Sequence, residues 1–274
     1  MIYIHGMERH IHMELLKKLD FGEIKNIANL TKLEKMMKDD DIVILFNWGK
    51  GTRKFQEKYI KAKIKFFPPV NTSLLLANRL KAIKELDTIT KYPLERVLIE
   101  GDGETLKEYS TPELKNSAAI VLKVGDDHQG DGKYLKSPGD IVRSKYNVVF
   151  EEYVDNSRSI RVIIIKDAIF LVEHRNSDAA RVNSNTKWIK NINPIETSFN
   201  YEDRYQLGID NIDSIIEDAI NIVNHLKLDF TGIDYVVSDD KIGLLEANDM
   251  IGLPENEVIY NKAVEYFMDI CTNR

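Results

Sequence analysis

Apolar and polar positions alternate along the chain in a way that predicts a mixed α/β protein. Near the N-terminus, the apolar run MIYIHG predicts a strand, and the amphipathic segments MERHIHMELLKKL and LTKLEKMMKD predict helices. The continuous apolar run DIVILFNW is typical of a parallel strand that is covered on both faces. Strands and helices that alternate in this way predict a small α/β domain over residues 1–70.

The pattern changes twice after the proline-containing connection FFPPVN. The segment SLLLANRLKAIKELDTI predicts one helix, and strand-like runs separated by glycine-bearing turns follow as far as residue 155. Beyond that point, IRVIIIKDAIFLVEHR predicts two strands joined at Lys166–Asp167, NIDSIIEDAINIVNHLKL predicts an amphipathic helix, and FTGIDYVVSDDKIGLLEAND predicts a hairpin. We therefore expect two further lobes, over residues 71–155 and 156–274.

Polar side chains interrupt the second strand of the predicted hairpin. In the apolar segment LLEAN, Glu246 and Asn248 stand two residues apart and should point to the same face of the strand. A carboxylate on a largely apolar strand is costly unless it is paired or bound to a cation. The alternative is an edge hairpin whose polar face is simply solvated.

The first strand of the hairpin contributes a second carboxylate. With the turn at residues 239–241, Asp234 should face Glu246 and Tyr235 should face Leu245. Two carboxylates that face each other are destabilising without a cation. Together with the nearby asparagine oxygen they form a ligand set that suits Mg²⁺, whose remaining positions phosphate and water would fill.

A metal that expects phosphate predicts a nucleotide-binding segment, and VLKVGDDHQGDGKYL is the candidate. Lys123 ends an apolar run, and Gly130 and Gly132 would let backbone N–H groups approach phosphate. A glycine-rich hairpin turn is the alternative, and the segment is not a Walker P-loop because tyrosine follows the lysine of GKY. The strand VVFEEYVDN, which breaks into acidic residues, suits an adenine slot with a carboxylate at its rim for ribose.

The order of these motifs resembles that of the ATP-grasp superfamily, and within it the carboxylate–amine ligases of the ribosomal-protein glutamate ligase type. The resemblance covers about residues 71–253, and its most specific part is GIDYVVSDDKIGLLEANDMIGL, which is similar to the family's Gly-(Val/Ile)-Asp, strand, turn, strand, Glu-x-Asn pattern. It implies an ATP-grasp fold, with the small N-terminal α/β domain as a pre-domain.

The resemblance also implies roles for individual residues. Those that would bind ATP are Arg79, Lys123, Gly130, Gly132, Glu152, Tyr153, Val154 and Asp155. Among them, Lys123 would reach the α- and β-phosphates, the backbone of residues 152–154 would read adenine, and Asp155, with Glu151 as its neighbour, would bind ribose. Arg79 stands where the family often has lysine.

The metal ligands and the reacting end follow from the same resemblance. Asp234, Glu246 and Asn248 would hold two Mg²⁺ ions that bridge the ATP phosphates, with Mn²⁺ as the alternative ion. The segments SIRVIII and EHRNSDAARVN match cationic motifs of the family, and the residues they place at the transferring phosphate and substrate carboxylate are Arg161, Arg175, Arg181 and Asn183.

Besides Arg79, three features depart from the family pattern. The phosphate loop carries Asp126, Asp127 and Asp131 where small or basic residues are usual. The usual Gly-Gly is missing after Asn183, and Ile251 replaces a proline after Glu-x-Asn. These departures concern the substrate pocket and the rate of catalysis more than the fold.

The resemblance implies an ATP-dependent, ADP-forming ligase that joins a carboxylate to an amine through an acyl phosphate. The substrates would be an amino acid, a peptide or a protein. One alternative is an ATP-grasp kinase that transfers phosphate to an alcohol, and another is a nucleotide-binding module without turnover, which the acidic phosphate loop favours.

Composition limits the setting in which such a protein would work. The 274 residues are 43% hydrophobic, enough for a sizeable core, and the net charge of −6 argues against bulk nucleic-acid binding. No apolar run reaches the roughly 18 residues of a membrane span, and the first apolar stretch is too short for a signal peptide. Because Cys271 is the only cysteine, no internal disulfide can form, and we expect a reducing, cytoplasmic setting. A homo-oligomer is an open alternative to a monomer.

Overall fold

The computed structural model describes residues 1–5, 24–26, 29–45, 50–115, 117, 119–125, 133–155, 158–176, 194–249, 251 and 256–272. The helix expected for residues 7–19 lies outside these ranges. Within them, the strands form three main sheets and one two-stranded sheet. No helix in the described part of the chain is long and apolar enough to cross a membrane.

The N-terminal region forms a parallel four-stranded sheet with the strand order β2-β1-β3-β4. Both β1 and β3 are buried along their length, as expected for a strand covered on two faces. The elements of this region are β1 (Ile2–His5), β2 (Ile24–Asn26), α1 (Leu30–Met36), β3 (Ile42–Leu45), α2 (Lys50–Glu57) and β4 (Lys65–Phe67).

Two short helices replace the single helix that was predicted next, so that prediction is wrong. They are α3 (Val70–Ala77) and α4 (Arg79–Leu86), and Asn78 between them has an extended backbone. The Asn78 side chain accepts a hydrogen bond from the Lys81 N–H at 3.0 Å. An asparagine side chain that accepts a hydrogen bond from a nearby backbone N–H favours the N-terminus of a helix over its interior. This preference explains the break at Asn78.

The middle of the chain forms an antiparallel sheet with the strand order β5-β10-β7-β8, beside which β6 pairs with β9. The strands of this region are β5 (Arg96–Ile99), β6 (Lys107–Ser110), β7 (Ile120–Val124), β8 (Lys133–Lys136), β9 (Ile141–Ser144) and β10 (Val148–Glu152).

The C-terminal region forms an antiparallel five-stranded sheet with the order β13-β12-β11-β14-β15. The predicted junction at Lys166–Asp167 is confirmed as the turn between β11 and β12. The elements are β11 (Arg158–Ile165), β12 (Ala168–Asn176), β13 (Pro194–Asn200), a 3₁₀ helix (Tyr201–Leu207), α5 (Ile212–Leu226), β14 (Phe230–Val237), β15 (Ile242–Asn248) and α6 (Glu257–Thr272).

Helices cover both faces of this sheet and join it to the rest of the molecule. Ile215 and Ile222 of α5 belong to one buried apolar cluster with Val162 of β11. A second cluster joins Phe267 of α6 to Ile4 of β1. The C-terminal helix therefore shares one core with the N-terminal sheet and the C-terminal sheet.

Helix α4 connects the central and C-terminal sheets. Leu80 and Ile83 pack with Val149 of β10, whereas Ala82 and Leu86 belong to the apolar cluster of the C-terminal sheet. The lobe boundaries at residues 70 and 155 stay a prediction, and each main sheet takes its strands from within one of the three predicted ranges.

The β14–β15 hairpin contains a β-bulge. Asp234 pairs with Glu246, as predicted, but Tyr235 pairs with Leu244, so the predicted pairing of Tyr235 with Leu245 is wrong. Leu245 is the extra residue of the bulge. Strict alternation would place Leu244 on the same face as Glu246, and the bulge removes this conflict, because Leu244 is only 1% exposed and packs in the core with Tyr235.

Candidate functional site

The candidate site begins with three side chains on neighbouring strands of the C-terminal sheet. Asp234 on β14 is 7% exposed, and Arg161, its register partner on β11, donates from Nε to Oδ1 at 2.6 Å and from Nη2 to Oδ2 at 2.8 Å. Asn248 on β15 donates from Nδ2 to Asp234 Oδ2 at 3.2 Å. The predicted metal ligands Asp234 and Asn248 therefore lie together, and two-point contact with a guanidinium fixes the orientation of the carboxylate.

Glu246 lies opposite Asp234 and belongs to a different ion pair. Its side chain is 42% exposed, and Lys133 Nζ lies 3.9 Å from its Oε2. Lys133, with smaller contributions from Lys123, Arg161 and Arg79, lowers the pKa of Glu246 to about 2 against the opposing effect of burial. Protein side chains supply the cations that the facing carboxylates were expected to need, Arg161 at Asp234 and Lys133 near Glu246, and the role of a metal stays a prediction.

Lys123 occupies the buried centre of the central sheet. It is 4% exposed, and its Nζ donates to Glu151 Oε2 at 2.7 Å. Burial lowers the pKa of Lys123 to about 8, although the neighbouring Glu151 raises it. The side chain is therefore a charged group already held in one place, which is what a fixed phosphate contact requires.

The sequence placed Glu151 beside the predicted ribose contact, but in the structure its side chain is bound to other protein groups. It is 1% exposed and accepts a second hydrogen bond from Arg96 Nε at 2.7 Å. Burial alone would raise the pKa of Glu151, but Lys123 and Arg96 lower it below the ordinary value. The carboxylate thus stays ionised and serves as the anchor of the lysine.

Arg79 links helix α4 to the predicted phosphate loop. It is the first residue of α4, and its Nη1 donates to the carbonyl oxygen of Gly125 at 2.6 Å. Gly125 follows β7 directly and has a φ of +69°, which glycine adopts without strain. Gly130 and Gly132, like the three loop aspartates, lie outside the described residues.

The predicted adenine hinge begins with a buried carboxylate. Glu152 is 3% exposed, and its Oε1 accepts from the Glu95 N–H at 2.8 Å, while Lys241 Nζ donates to its Oε2. Its own N–H donates to the Glu95 carbonyl at 3.0 Å. The Glu152 side chain therefore ties the central sheet to the β14–β15 turn.

The two residues that follow also lie at this junction. The Tyr153 N–H donates to Ser117 Oγ at 3.0 Å, and Val154 is 8% exposed. Asp155 is exposed, and its role in ribose binding stays a prediction. The Glu152 and Tyr153 N–H groups already have hydrogen-bond partners. A bound adenine would therefore have to contact other backbone groups of this segment.

The predicted reacting end is described only in part. Arg161 lies at the site, and the backbone of Arg175 on β12 pairs with Ile195 on β13. Arg181 and Asn183 lie outside the described residues. Their roles stay predictions.

Three residues of the site were missed by the sequence reasoning. Lys133 and Arg96 looked like ordinary strand residues, although the position of Lys133 after the glycine-rich run was a usable signal. Gly232 opens the GID motif, and a Cβ there would lie 2.7 Å from Ile251 Cγ2 and 3.1 Å from Arg161 Cδ. The glycine therefore leaves room for the Arg161 side chain next to β14, where it contacts Asp234.

The described residues form a site in which cations outnumber the carboxylates that could hold a metal. Its cations are Arg79, Lys123, Lys133 and Arg161. Within the described ranges, no group of three His, Cys, Asp or Glu side chains could hold a metal ion. A metal here would take two carboxylates and an amide oxygen, and would rely on further oxygens from a ligand such as a polyphosphate.

Comparison with known proteins gives structural matches only. No model of a known protein family and no curated protein matches the chain. Among solved structures, the D-alanine–D-alanine ligase from Bacillus anthracis complexed with ATP matches with 15% identity over 98% of this chain and 94% of that chain, with a TM-score of 0.62.

Several matching structures contain peptide precursors. The macrocyclase MdnC from Microcystis aeruginosa MRC, bound with the precursor peptide MdnA, is 11% identical over 100% of this chain and 99% of that chain, with a TM-score of 0.59. The ATP-grasp ligase PsnB, complexed with minimal precursor, Mg and ADP, is 10% identical over 96% and 94% of the two chains, with a TM-score of 0.59. The chain therefore has the ATP-grasp fold, as the order of its motifs predicted.

Proposed function

We propose that the protein is an ATP-dependent, ADP-forming ligase that joins a carboxylate to an amine in an amide or peptide bond. One observation carries the proposal: Asp234 and Glu246 face each other beside Asn248, with four cations around them. Carboxylate oxygens next to several cations suit a ligand that combines a divalent metal with a polyanion. The ATP-grasp fold supports Mg-ATP as that ligand.

The residues assigned to the metal fit its chemistry. Asp234, Glu246 and Asn248 would hold Mg²⁺, as two ions in our proposal, with Mn²⁺ as the alternative. When bound, the metal neutralises charge on the phosphates. The contribution of the chain is to keep Glu246 ionised, chiefly through Lys133, and to fix the orientation of Asp234 through Arg161.

The nucleotide contacts come from the central lobe. Lys123 would donate to the α- and β-phosphates, and Arg79 would hold the start of the loop whose Gly130 and Gly132 approach them. The backbone of residues 152–154 would read adenine, and Asp155 would bind the ribose hydroxyl groups. Lys133, close to Glu246, adds a phosphate contact that the motif comparison did not include.

The reaction proceeds in two transfers. A substrate carboxylate oxygen attacks the γ-phosphorus of ATP, the bond to the β-phosphate oxygen breaks, and ADP leaves an acyl phosphate. The substrate amine then attacks the acyl carbon, releases inorganic phosphate and loses a proton to solvent. The groups that would stabilise the charge of both transition states are Arg161, Arg175, Arg181 and Asn183.

For the substrates, we propose an amino acid or peptide carboxylate and an amine, as in ligases of the ribosomal-protein glutamate ligase type. Similarity to ligases whose structures hold peptide precursors supports a peptide as one of the two. The single cysteine supports a cytoplasmic setting. Neither a nucleic acid nor a membrane is part of the proposal, and a homo-oligomer is compatible with it.

The test is an ADP-release screen of amino acids and peptides with Mg²⁺, in which products are identified by mass spectrometry. The expected result is ADP and phosphate release that requires both a carboxylate and an amine, together with a product that has lost one water. Hydroxylamine should trap the acyl phosphate as a hydroxamate. A phosphorylated alcohol would identify a kinase instead, and tight Mg-ATP binding without turnover of any substrate would identify a binding module.

A further inference from the structure

Arg96 joins three elements that meet behind the candidate site. Its side chain is only 3% exposed. Its Nε donates to Glu151 on β10 at 2.7 Å and its Nη1 to Asp87 Oδ1, just after α4, at 2.6 Å. Its Nη2 donates to the main-chain carbonyl oxygen of Leu244 on β15. A planar guanidinium with three partners fixes their relative positions more firmly than a lysine would.

The same stretch of β15 is held by the segment that leads to Arg96. The Leu244 N–H donates to the Tyr92 carbonyl at 2.8 Å. Next to it, Leu94 packs so closely on Gly243 that a Cβ there would lie 2.1 Å from Leu94 Cδ2. Both backbone polar groups of Leu244 therefore bind residues 92–96 of the other lobe.

The two ends of the Arg96 network are site residues. Glu151, which Arg96 contacts, also holds Lys123 at 2.7 Å. Leu244, which Arg96 also contacts, begins the bulge that places Glu246 opposite Asp234. Arg96 therefore links the anchor of the lysine to the segment that carries Glu246.

We propose that Arg96 is a positioning residue that holds the Glu246 segment of β15 in a fixed place relative to the Lys123–Glu151 pair. The inference rests on the proposed function, because it assigns phosphate binding to the lysine and metal binding to Glu246. Arg96 touches neither ligand. It keeps the two halves of the site in one geometry.

The test compares ADP binding with and without Mg²⁺ in an Arg96→Gln variant by calorimetry. Lys123 keeps Glu151 as its partner, so ADP affinity without Mg²⁺ should change by no more than about threefold. The gain in affinity that Mg²⁺ gives should fall by about tenfold, which corresponds to roughly 1.4 kcal/mol. Hydrogen exchange should become faster at residues 242–248, where the Leu244 N–H loses its fixed environment.

Arg158 offers a matched control outside the site. Its Nη1 donates to the buried carboxylate of Glu173 at 3.0 Å and to the Leu207 carbonyl at 2.8 Å, so it also joins a buried acid to a main-chain oxygen. Arg158→Gln should lower the melting temperature as Arg96→Gln does, but leave both ADP affinities and the exchange at residues 242–248 unchanged.

Two milder variants keep the test decisive if Arg96→Gln does not fold. Arg96→Lys and Asp87→Asn weaken the network without removing it, and both should give a smaller loss of the Mg²⁺-dependent gain. Equal effects of Arg96→Gln and Arg158→Gln on ADP binding and hydrogen exchange would overturn the proposal. An unchanged Mg²⁺-dependent gain in ADP affinity in both Arg96→Lys and Asp87→Asn would also overturn it. If wild-type ADP affinity does not respond to Mg²⁺, the metal assignment fails, and faster exchange confined to residues 242–248 still decides the role of Arg96.

Discussion

Asp234 and Glu246 lie opposite each other, yet a different cation holds each of them. Asp234 is nearly buried and is bound by Arg161 at two points, whereas Glu246 is partly exposed and lies near Lys133. A carboxylate with a lowered pKa stabilises the folded state, because ionisation favours the fold above the ordinary pKa. The charge of Glu246, whose pKa is lowered, therefore contributes to stability as well as to the proposed metal site, whereas the two contacts from Arg161 fix the position of Asp234.

We predict that Glu246→Gln destabilises the protein at neutral pH. Lys133 would lose its carboxylate partner and would remain close to other positively charged side chains. The folded pKa of Glu246 is about 2, so its stabilising effect is present above the ordinary pKa of 4.5 and is lost as the pH falls between these values. The difference in melting temperature between wild type and variant should shrink across that interval. Mg-ATP-dependent turnover should fall by at least about 10- to 100-fold. Mutation of residues that only hydrogen-bond to metal ligands already causes losses of this size.

Asp213→Asn is the control for that prediction. Asp213 is exposed, pairs with Arg204 outside the site, and also has a lowered pKa, chiefly because Arg204 donates a hydrogen bond to it. It should show a similar pH trend in stability with normal turnover. Full activity of Glu246→Gln at ordinary Mg²⁺ would contradict the proposed metal role.

We also predict that nucleotide affinity falls as the pH rises above about 8. Burial lowers the pKa of Lys123 to about 8, so the phosphate contact loses its charge well below the ordinary pKa of 10.5. The stability of the free protein should move the other way. Between pH 8 and 10.5 the unfolded chain binds the extra proton, so this group's contribution to stability rises with pH.

The measurement for Lys123 is ATP affinity by calorimetry from pH 7 to 10, with Lys123→Arg as the control. Arginine stays charged throughout this range, so the variant should show a flat profile even if its affinity is lower. Parallel pH profiles for the two proteins would show that the lysine is not the titrating contact.

At the scale of secondary structure, the break at Asn78 allows α4 to begin at Arg79. We predict that Asn78→Ala costs about 1 kcal/mol of stability through loss of the helix cap. It should also weaken ATP binding by up to about tenfold, because the Arg79 contact to Gly125 depends on where α4 starts, and a hydrogen bond from a charged group contributes roughly 1.5–3 kcal/mol.

Asn29 provides the comparison, since its side chain accepts hydrogen bonds from the Thr31 and Lys32 N–H groups at the start of α1. Thermal melts and ATP titrations of Asn78→Ala and Asn29→Ala should show similar stability losses but weaker binding only for Asn78→Ala. Equal ATP affinity in both variants would exclude a role for the cap in the site.

Elements of this chain were predictable where local pattern decides them. The β11–β12 turn and the facing pair Asp234 and Glu246 follow from alternation and a short turn. The bulge was not predictable, because Leu244 is bound by Tyr92 and Arg96, about 150 residues earlier in the chain. The sequence of β15 alone does not indicate that Leu244 binds residues outside its own sheet.

At the scale of the whole molecule, the main sheets share apolar clusters and charged contacts, so a ligand bound where they meet should stabilise the entire chain. We predict that millimolar Mg-ATP raises the melting temperature. A ligand at about 100 times its Kd contributes roughly 2.7 kcal/mol, which for a chain of this size corresponds to a shift of about 5–10 °C.

Differential scanning calorimetry with ATP, GTP and no nucleotide tests this prediction, with Lys123→Met as the binding-deficient control. A larger shift with GTP would contradict the adenine hinge at residues 152–154. No shift for the wild type, together with silent titration calorimetry, would contradict nucleotide binding as a whole.

The order of the motifs predicted the fold of the whole molecule better than it predicted the contacts within the site. The order of strands and helices depends on hydrophobic pattern over many residues, and single departures such as Ile251 do not change it. The site depends instead on pairwise contacts, such as that between Lys133 and Glu246, whose partners are far apart in the chain. The acidic phosphate loop gave no sign of the cations that surround the facing carboxylates.

The bulge at Leu245 has a consequence for changes in chain length. Outside the Leu244–Leu245 pair, loss of one residue from β15 would turn every following side chain to the opposite face and carry Asn248 away from Asp234. Removal of Leu245 itself would leave a regular ladder in which Leu244 still opposes Tyr235 and Glu246 still opposes Asp234. Because residues 244 and 245 are both leucine, loss of either one gives the same sequence. The hairpin can therefore lose one residue at this leucine pair and keep both its core and its ligands, so related chains can differ in length there with the same chemistry.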